Sequence, residues 1–524
     1  MANAATPHRV ALVTWGNCLE HDFLQPIGVT LTAFRRSFTA SWHFAYVLAL
    51  REAGVETTSF AFSCCRHQPE HFVHEPTQSR FWLLPAPPAY RLWRRRSGDK
   101  RSLLADYLAT PLLALGRVIR SERCTAVLVQ GHDYARFDAV VLLGRLLGLP
   151  VYSTYQGGAD LRSGRIIDRI RRWSFHRAAG LIVPPEVELA RIQRRYEIDA
   201  GPVARILNPI DTGFWRPSDK QAARHRFGLS SADVVFAWHG RVGVAQKGLD
   251  TLIEAWTRAI PHMSSPAILH LLGSGSERLV LESLVARTPH VRWIDRFADD
   301  REEIRDFLSA ADAYIFTSRA EGFAVAPGEA LACGLPVIAS HATPGIDELF
   351  PQSDADGGLL VPTLDPAVLA EAIVALARDD GRRTALSARA LVRARELSLQ
   401  NVGAQLAAMM ALRPAERTDV TVPVGRRVPA EPLRILNLHP LGCRVGEPFN
   451  AQPDGNSAIV AVAENATIAT SIVFEGHHLP TTFGHAGLVS ATLPARLLRR
   501  ARSCPVQLSD GVRWSDAVSF EILG

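Results

Sequence analysis

The sequence predicts an α/β protein built from two tandem doubly wound units, followed by a small all-β sandwich. Three observations carry this. From Arg9 onward short apolar runs alternate with segments of helical periodicity, the pattern of parallel sheets covered by helices on both faces. The alternation begins again at Val234. Beyond Leu433 it gives way to short Val/Ile/Leu-rich runs separated by Gly, Asn and Pro turns, which suits a sandwich of antiparallel strands.

In the first unit Val10 to Trp15 reads as a strand, Trp42 to Ala53 as a helix stopped by Gly54, and Thr57 to Phe62 as a strand. Ala126 to Gln130, a helix near Ala139 to Leu147, and the strands Pro150 to Tyr155 and Gly180 to Val183 follow. In the second unit the strands are Val234 to His239, Ala267 to Gly273, Val291 to Ile294, Ala313 to Thr317 and Pro336 to Ser340. Between and after them come helices at Gly248 to Ala259, Arg278 to Arg287, Glu302 to Ala310, Gly328 to Cys333 and Asp365 to Ala377. With Asn208 to Pro217 as the hinge segment, the units span 1–205 and 206–412. Residues 413–431, rich in Pro and Arg, read as a stiff solvated linker, and 432–524 as the sandwich. Ligands of doubly wound sheets sit at the carboxyl ends of the strands, so the site belongs in the cleft between the units.

Composition narrows the function classes. With 47% hydrophobic and 21% charged residues the chain has a globular rather than disordered profile. Its net charge of +6, spread over 524 residues, does not mark a nucleic-acid binder. The seven cysteines lack the paired C-x-x-C spacing of a zinc site or redox couple and read as reduced thiols. The start MANAATPHRVALVTW shows no secretory leader, and Arg145 interrupts the longest apolar stretch, so a cytoplasmic protein is expected. Residues 91–101, RLWRRRSGDKR, hold six basic side chains beside Trp93 and precede an apolar-rich segment. That pattern fits a solvated helix face, or a peripheral contact of residues 91–119 with anionic lipid at the inner face of a membrane.

The most informative stretch is AYIFTSRAEGFAVAPGEALACGLPVIAS, residues 313–340. A buried strand ends at Thr317, a polar loop presents Glu321 and Gly322, Pro327 opens a helix, and Gly334-Leu335-Pro336 stops it. Glu321 then lies at the sheet's carboxyl edge and Glu329 in the helix's first turn, both facing the cleft. Glutamate oxygens accept bonds from ribose and hexose hydroxyls, and a helix start favours phosphate. Glu329 also suits a helix dipole with no ligand at all. In WHGRVGVAQKGLDTLIEAW, Arg241 follows a strand and Lys247 precedes a helix, placing two cations where a diphosphate fits. In LHLLGSGSER, Gly273 and Gly275 allow close backbone approach. Asp354-Ala355-Asp356 reads as an exposed turn rather than a metal site.

Here the residues resemble a known family. E-G-F-x5-E followed by A-L-A-C-G-L-P-V-I-A is similar to the pattern of family 4 of the retaining glycosyltransferases, whose two Rossmann-like domains form the GT-B fold. The resemblance runs from Arg9 to about Leu412. It implies an acceptor-side first domain and a nucleotide-sugar-binding second domain. It implies that Arg241, Lys247 and Glu321 form the catalytic set, the two cations on the donor's pyrophosphate and Glu321 on the transferred sugar. Glu329 would hold the ribose, and Gly322, Phe323, Ala324, Gly273 and Gly275 would complete the donor site. No metal and no cofactor is implied, the nucleoside diphosphate sugar being a substrate. The acceptor is expected to be a glycan, a lipid-linked molecule or a small molecule, with no nucleic-acid partner.

The first unit departs from the family pattern. TASWHFAYVLAL has Ala40 and Ser41 where many members carry a glycine pair, and Gln156 stands where many carry a histidine. Glutamine donates and accepts hydrogen bonds but takes no proton. Gln156 and, in QGHDYARFD, His132 are the residues expected on the sugar or acceptor side, although a lone histidine is more often structural. The reading that results is retaining, metal-independent sugar transfer to an acceptor hydroxyl in glycan or glycoconjugate synthesis. The alternative is an inactive GT-B sugar-binding scaffold with a partner-binding sandwich. The tail, with LHPLGCRVGEPFN, VFEGHHLPTTFGHAGLVSATLPARLL and SDAVSFEIL, resembles an IPT/TIG-type immunoglobulin-like domain.

Overall fold

Strand β1 (Arg9–Val13) lies at the centre of an eight-stranded sheet with β2 (Glu56–Ser63), β3 (Glu70–His74), β4 (Ser79–Pro85), β5 (Ala126–Gln130), β6 (Val151–Thr154), β7 (Gly180–Ile182) and β8 (Val203–Ala204), ordered β3-β4-β2-β1-β5-β6-β7-β8. All pairs are parallel except β3 with β4. The computed structural model describes residues 8–411 except 15, 40–41, 98–102, 158–163, 199–202, 299 and 323. It also describes 433–524 except 451–455, 465, 467–469, 480, 484–487 and 510–513. These residues divide into two compact units, one in 8–411 and one in 433–524.

Both faces of the first sheet are buried, which is why its central strands read as unbroken apolar runs. Along β1, Val10 and Leu12 point to a layer formed by the helices Trp42–Glu52 and Leu399–Met409. Ala11 and Val13 point the other way, to the helices Leu112–Ser121, Ala135–Leu147, Arg165–Arg177 and Glu186–Tyr196. The second sheet, β9 (Val234–His239), β10 (Ala267–Leu272), β11 (Val291–Ile294), β12 (Ala313–Ile315), β13 (Val337–Ser340) and β14 (Gly358–Val361), has the order β11-β10-β9-β12-β13-β14 and is parallel throughout. Here Val234, Phe236 and Trp238 serve one core while Val235 and Ala237 serve the other.

The chain crosses between the halves twice. Ile210 on the outward crossing forms a bridge with Ser398 on the return, and its N–H donates to the Leu397 carbonyl at 2.7 Å. Beyond the return, Ser398 caps the helix Leu399–Met409 by accepting from the Asn401 N–H. That helix lies within 206–412, yet Leu399, Val402, Leu406 and Met410 pack into the core of the first half. Gly403 makes the approach possible, because a Cβ there would lie 2.0 Å from the Ala49 carbonyl oxygen.

In the second unit, β15 (Arg434–His439), β17 (Ser457–Glu464), β20 (Thr481–Phe483) and β21 (Leu488–Leu493) form one antiparallel sheet. β16 (Gly442–Arg444), β18 (Ser471–Phe474), β19 (His477–His478), β22 (Arg502–Ser509) and β23 (Val518–Leu523) form the other, antiparallel except for β16 beside β23. Ile459, Ala461 and Val489 of the first sheet share one apolar core with Phe474, Val506 and Phe520 of the second. The expected linker at 413–431 lies outside the described residues.

Candidate functional site

The second sheet's carboxyl edge is shaped by glycines. Gly240 follows β9 with φ of 148° and Gly273 follows β10 with φ of 145°. A Cβ on Gly273 would lie 1.9 Å from the Gly240 carbonyl oxygen, and one on Gly275 would lie 2.1 Å from that of Val242. The two loops therefore run backbone against backbone, an approach only glycine permits.

Lys247 ends the short helix Val244–Lys247, and Gly248, with φ of 64°, turns the chain into the next helix. A Cβ on Gly248 would meet the Thr317 carbonyl oxygen at 2.1 Å, while Thr317 Oγ1 donates to the Lys247 carbonyl at 2.9 Å. This fastening aims the Lys247 ammonium at the Glu321 carboxylate, with which it forms an ion pair. Glu321 also accepts from Ser318 Oγ at 2.6 Å, and the lysine and glutamate side chains are only 19% and 13% exposed. Arg241 is exposed, donates to Gln246 Oε1 at 3.3 Å, and has no carboxylate partner among the described residues.

Glu329 stands in the first turn of the helix Ala326–Ala332 and accepts a hydrogen bond from His239 Nε2 at 3.1 Å. His239 ends β9, and its backbone carbonyl accepts from the buried Tyr314 hydroxyl at 3.2 Å. Burial pushes that hydroxyl's pKa up, so it stays protonated as a donor. Arg241, Glu329, His239, Gly240 and Gly273 line a cavity of about 360 Å³ whose opposite wall is Thr39, Trp42 and Leu48 of the first half. Phe297 joins the lining, and its ring stacks on Phe38 of the first half with centroids 6.4 Å apart. Arg301, also in the lining, pairs with Asp211 at 3.1 Å and lies 4.0 Å over the Phe214 ring. The site thus offers hydroxyl acceptors, an unneutralised guanidinium and aromatic surface together.

Next to the Lys247 pair the two halves touch. A Cβ on Gly322 would lie 1.9 Å from the Gly157 nitrogen and 2.1 Å from the Gln156 carbonyl carbon. Gln156 itself exchanges two amide bonds of 3.1 Å with Asn208, whose Oδ1 also accepts from Tyr46 at 2.9 Å. Its side chain thus ties the loop after β6 to the hinge segment. His132 is buried and outside the cavity lining, with Nε2 3.1 Å from Glu188 Oε1 and its ring stacked on Tyr155. His132, Asp133 and Glu188 are spaced as metal ligands are, but Arg191 donates to both carboxylates and occupies the cation's place.

Several expectations meet other surroundings. In the run 91–101, Arg94 pairs with Asp22 at 2.7 Å, Arg91 donates to His67, and half-buried Trp93 stacks on Tyr90. Asp354 pairs with Arg382 at 3.0 Å. Ala324 packs on the edge of the second half's core. Phe323 and the Ala40-Ser41 pair lie outside the described residues. His239, Trp42, Phe297 and Arg301 were not singled out in the sequence. Only His239 had a signal, as the last residue of a strand running into a glycine.

Two family models match the chain, "Glycosyltransferase Family 4" over residues 44–214 and "Glycosyl transferases group 1" over residues 233–379. Among curated relatives, a D-inositol 3-phosphate glycosyltransferase of a Nocardioides species is 28% identical over 242 residues, covering 43% of this chain and 52% of the relative. The lipopolysaccharide core biosynthesis mannosyltransferase LpsB of Rhizobium meliloti is 31% identical over 192 residues, covering 36% of this chain and 54% of the relative. The chain thus spans about half the length of these relatives. Among solved structures, a sucrose-phosphate synthase from Thermosynechococcus elongatus matches with TM-score 0.58 at 20% identity, covering 77% of this chain and 98% of that one. The Anabaena protein Alr3699/HepE in complex with UDP matches with TM-score 0.57 at 16% identity, covering 77% and 99%.

Proposed function

We propose, for a chain whose two family matches and shared GT-B fold support a glycosyltransferase, that it is a retaining, metal-independent enzyme. It takes a sugar from a nucleoside diphosphate sugar and passes it to an acceptor hydroxyl in glycan or glycoconjugate synthesis. The observation that carries this reading is the convergence of Arg241, His239-bound Glu329 and the glycine-lined loops on one cavity, beside the Lys247–Glu321 pair. The UDP complex of one structural neighbour supports a nucleotide donor.

In this reading Glu329, held by His239, accepts from the ribose hydroxyls, and Gly273 and Gly275 leave room for the nucleotide against the backbone. Arg241 and Lys247 meet the diphosphate, an interaction that strengthens as negative charge builds on the departing nucleotide and is worth several kcal/mol in a water-poor cleft. Glu321, already oriented by Ser318, turns its free acceptor capacity to the hexose together with Gly322, Phe323 and Ala324. Since Gln156 takes no proton and His132 is buried in its own ion-pair cluster, the departing phosphate oxygen receives the acceptor's proton. The bond from the sugar's anomeric carbon to phosphate breaks and the bond to the acceptor oxygen forms on the same face.

The acceptor, a glycan, a lipid-linked molecule or a small molecule, enters from the first half, and the last unit serves as an IPT/TIG-type contact module. No helix among the described residues is long and apolar enough to cross a membrane, and a cytoplasmic site of action is part of the proposal. Gln156 in the place of a histidine favours a second reading, an inactive sugar-binding scaffold. Thermal-shift screening against UDP-, GDP-, ADP- and TDP-sugars separates these outcomes. A specific shift followed by sugar release that Lys247→Ala abolishes supports the enzyme, a shift without release supports the scaffold, and no shift with any donor overturns both.

A further inference from the structure

Three helices of the first half, Leu112–Ser121, Ala135–Leu147 and Arg165–Arg177, cover one sheet face side by side and bury Leu115, Val140 and Phe175 against it. Their outward stripes have an unusual composition. The first presents Leu113, 80% exposed, with Arg117 and Arg120. The second presents Leu142, Arg145 and Leu146, the last 71% exposed. On the third, Ile166, Ile170 and Trp173 follow the i, i+4, i+7 spacing of one helical face, and Ile166 is 74% exposed. Arg169, Arg172 and Arg177 flank that stripe and are exposed.

The acidic side chains of the second and third helices turn the other way. Asp138 is buried against Arg171 and Tyr107, and Asp168 is half-buried and paired with Arg195. Only Arg172 has an acidic partner, Glu197 at the end of the next helix, and both of those side chains are exposed. Arg117, Arg120, Arg145, Arg169 and Arg177 have none among the described residues. A face dominated by large apolar and cationic side chains, with His176 and Ser121 as its other exposed members and Glu197 at its border, is poorly suited to water, because its apolar groups gain nothing there and its charges repel. It matches a surface with negative charge outside and hydrocarbon beneath.

We infer that this three-helix face docks the protein on an anionic lipid bilayer. The arginines meet lipid phosphates while Leu113, Leu146, Ile166, Ile170 and Trp173 enter the boundary between headgroups and acyl chains. The docking face takes in Leu113 and Arg117 of the segment 91–119 but not its basic run at 91–96, where Arg94 and Trp93 are engaged within the fold. It does not depend on which donor or acceptor the cleft takes.

The full chain is tested by co-sedimentation with vesicles of phosphatidylcholine, with and without phosphatidylglycerol, in about 0.1 M salt. Binding is expected only with phosphatidylglycerol and weakens as salt rises. Replacing Arg169, Arg172 and Arg177 together by Ser lowers it on the order of a hundredfold, whereas replacing all three by Lys retains it. Ile166→Ser with Ile170→Ser removes the part of binding that survives high salt, with the thermal midpoint unchanged. Equal binding to both vesicle types, or a serine triple variant that binds like the unaltered chain, overturns the inference. So does retention on a soluble acidic polymer with no vesicle binding, which identifies a polyanion partner instead.

Discussion

Lys247 and Glu321 neutralise each other across the second half's cleft edge, so each is positioned by the other before any ligand arrives. Lys247→Ala leaves the carboxylate with the Ser318 hydroxyl alone and removes a cation from the proposed diphosphate site; turnover is expected to fall about 10²- to 10³-fold. Unchanged steady-state turnover would contradict its role. Gly273→Ala forces a Cβ against the Gly240 carbonyl at a backbone angle that side chains rarely adopt. A loss of about 1–3 kcal/mol in chemical unfolding is expected. Buried histidines contribute to the loss of stability in acid. Desolvation lowers the pKa of His43 to about 3 and those of His74 and His270 to about 4. The unfolded chain takes up these protons near pH 6.5, whereas the folded chain does not until far lower, so stability is full above pH 6.5 and drains as pH falls towards 4. Each histidine steepens the loss by up to about 1.4 kcal/mol per pH unit. His270 packs between Phe227 and Phe307 with Nδ1 lacking a partner among the described residues, so His270→Phe is expected to flatten urea-midpoint profiles between pH 7 and 5. The pairings of these residues were hidden in the sequence. Glu188 lies 56 positions from His132, and nothing local announces that the pair belongs to a core cluster rather than to the cleft.

The helix Leu399–Met409 secures the half that precedes it in the chain. Leu406 is fully buried among Val10, Val47 and Leu50, so Leu406→Ala is expected to cost about 2–5 kcal/mol in the α/β unit's unfolding, read by denaturant titration. Elements with a single strong signal were legible. β5, β9 and β11 occupy the residues that periodicity assigns them, because all three are short runs of mainly branched or aromatic residues. The hairpin of β3 and β4 was not, since Glu70–His74 reads EHFVH, a mostly polar edge strand with no apolar alternation to mark it. The helix Asp380–Glu396 escaped for a similar reason: its arginine-rich run resembles a surface loop until Leu386, Ala390 and Ala394 are seen on one buried stripe.

At the scale of the molecule, the α/β unit and the double-sheet unit have separate apolar cores. Two calorimetric transitions are expected, and trypsin cleavage within residues 413–427, which include Arg417 and Arg426, should leave both intact. One joint transition would contradict this. The tandem architecture and the cleft between its halves were legible because each apolar run is nearly continuous, whereas the pairing of the cavity's walls was not, because they come from segments more than 150 residues apart, such as Trp42 and His239. The double crossing at Ile210 and Leu397–Ser398 has a mechanical meaning. Two chain segments bonded side by side hold the halves together along one seam. Gln156 and Asn208, bonded to each other, sit beside that seam, while Phe297 of the cavity lining stacks on Phe38. The halves are thus pinned at two places, by backbone at the crossing and by an aromatic pair at the cavity lining.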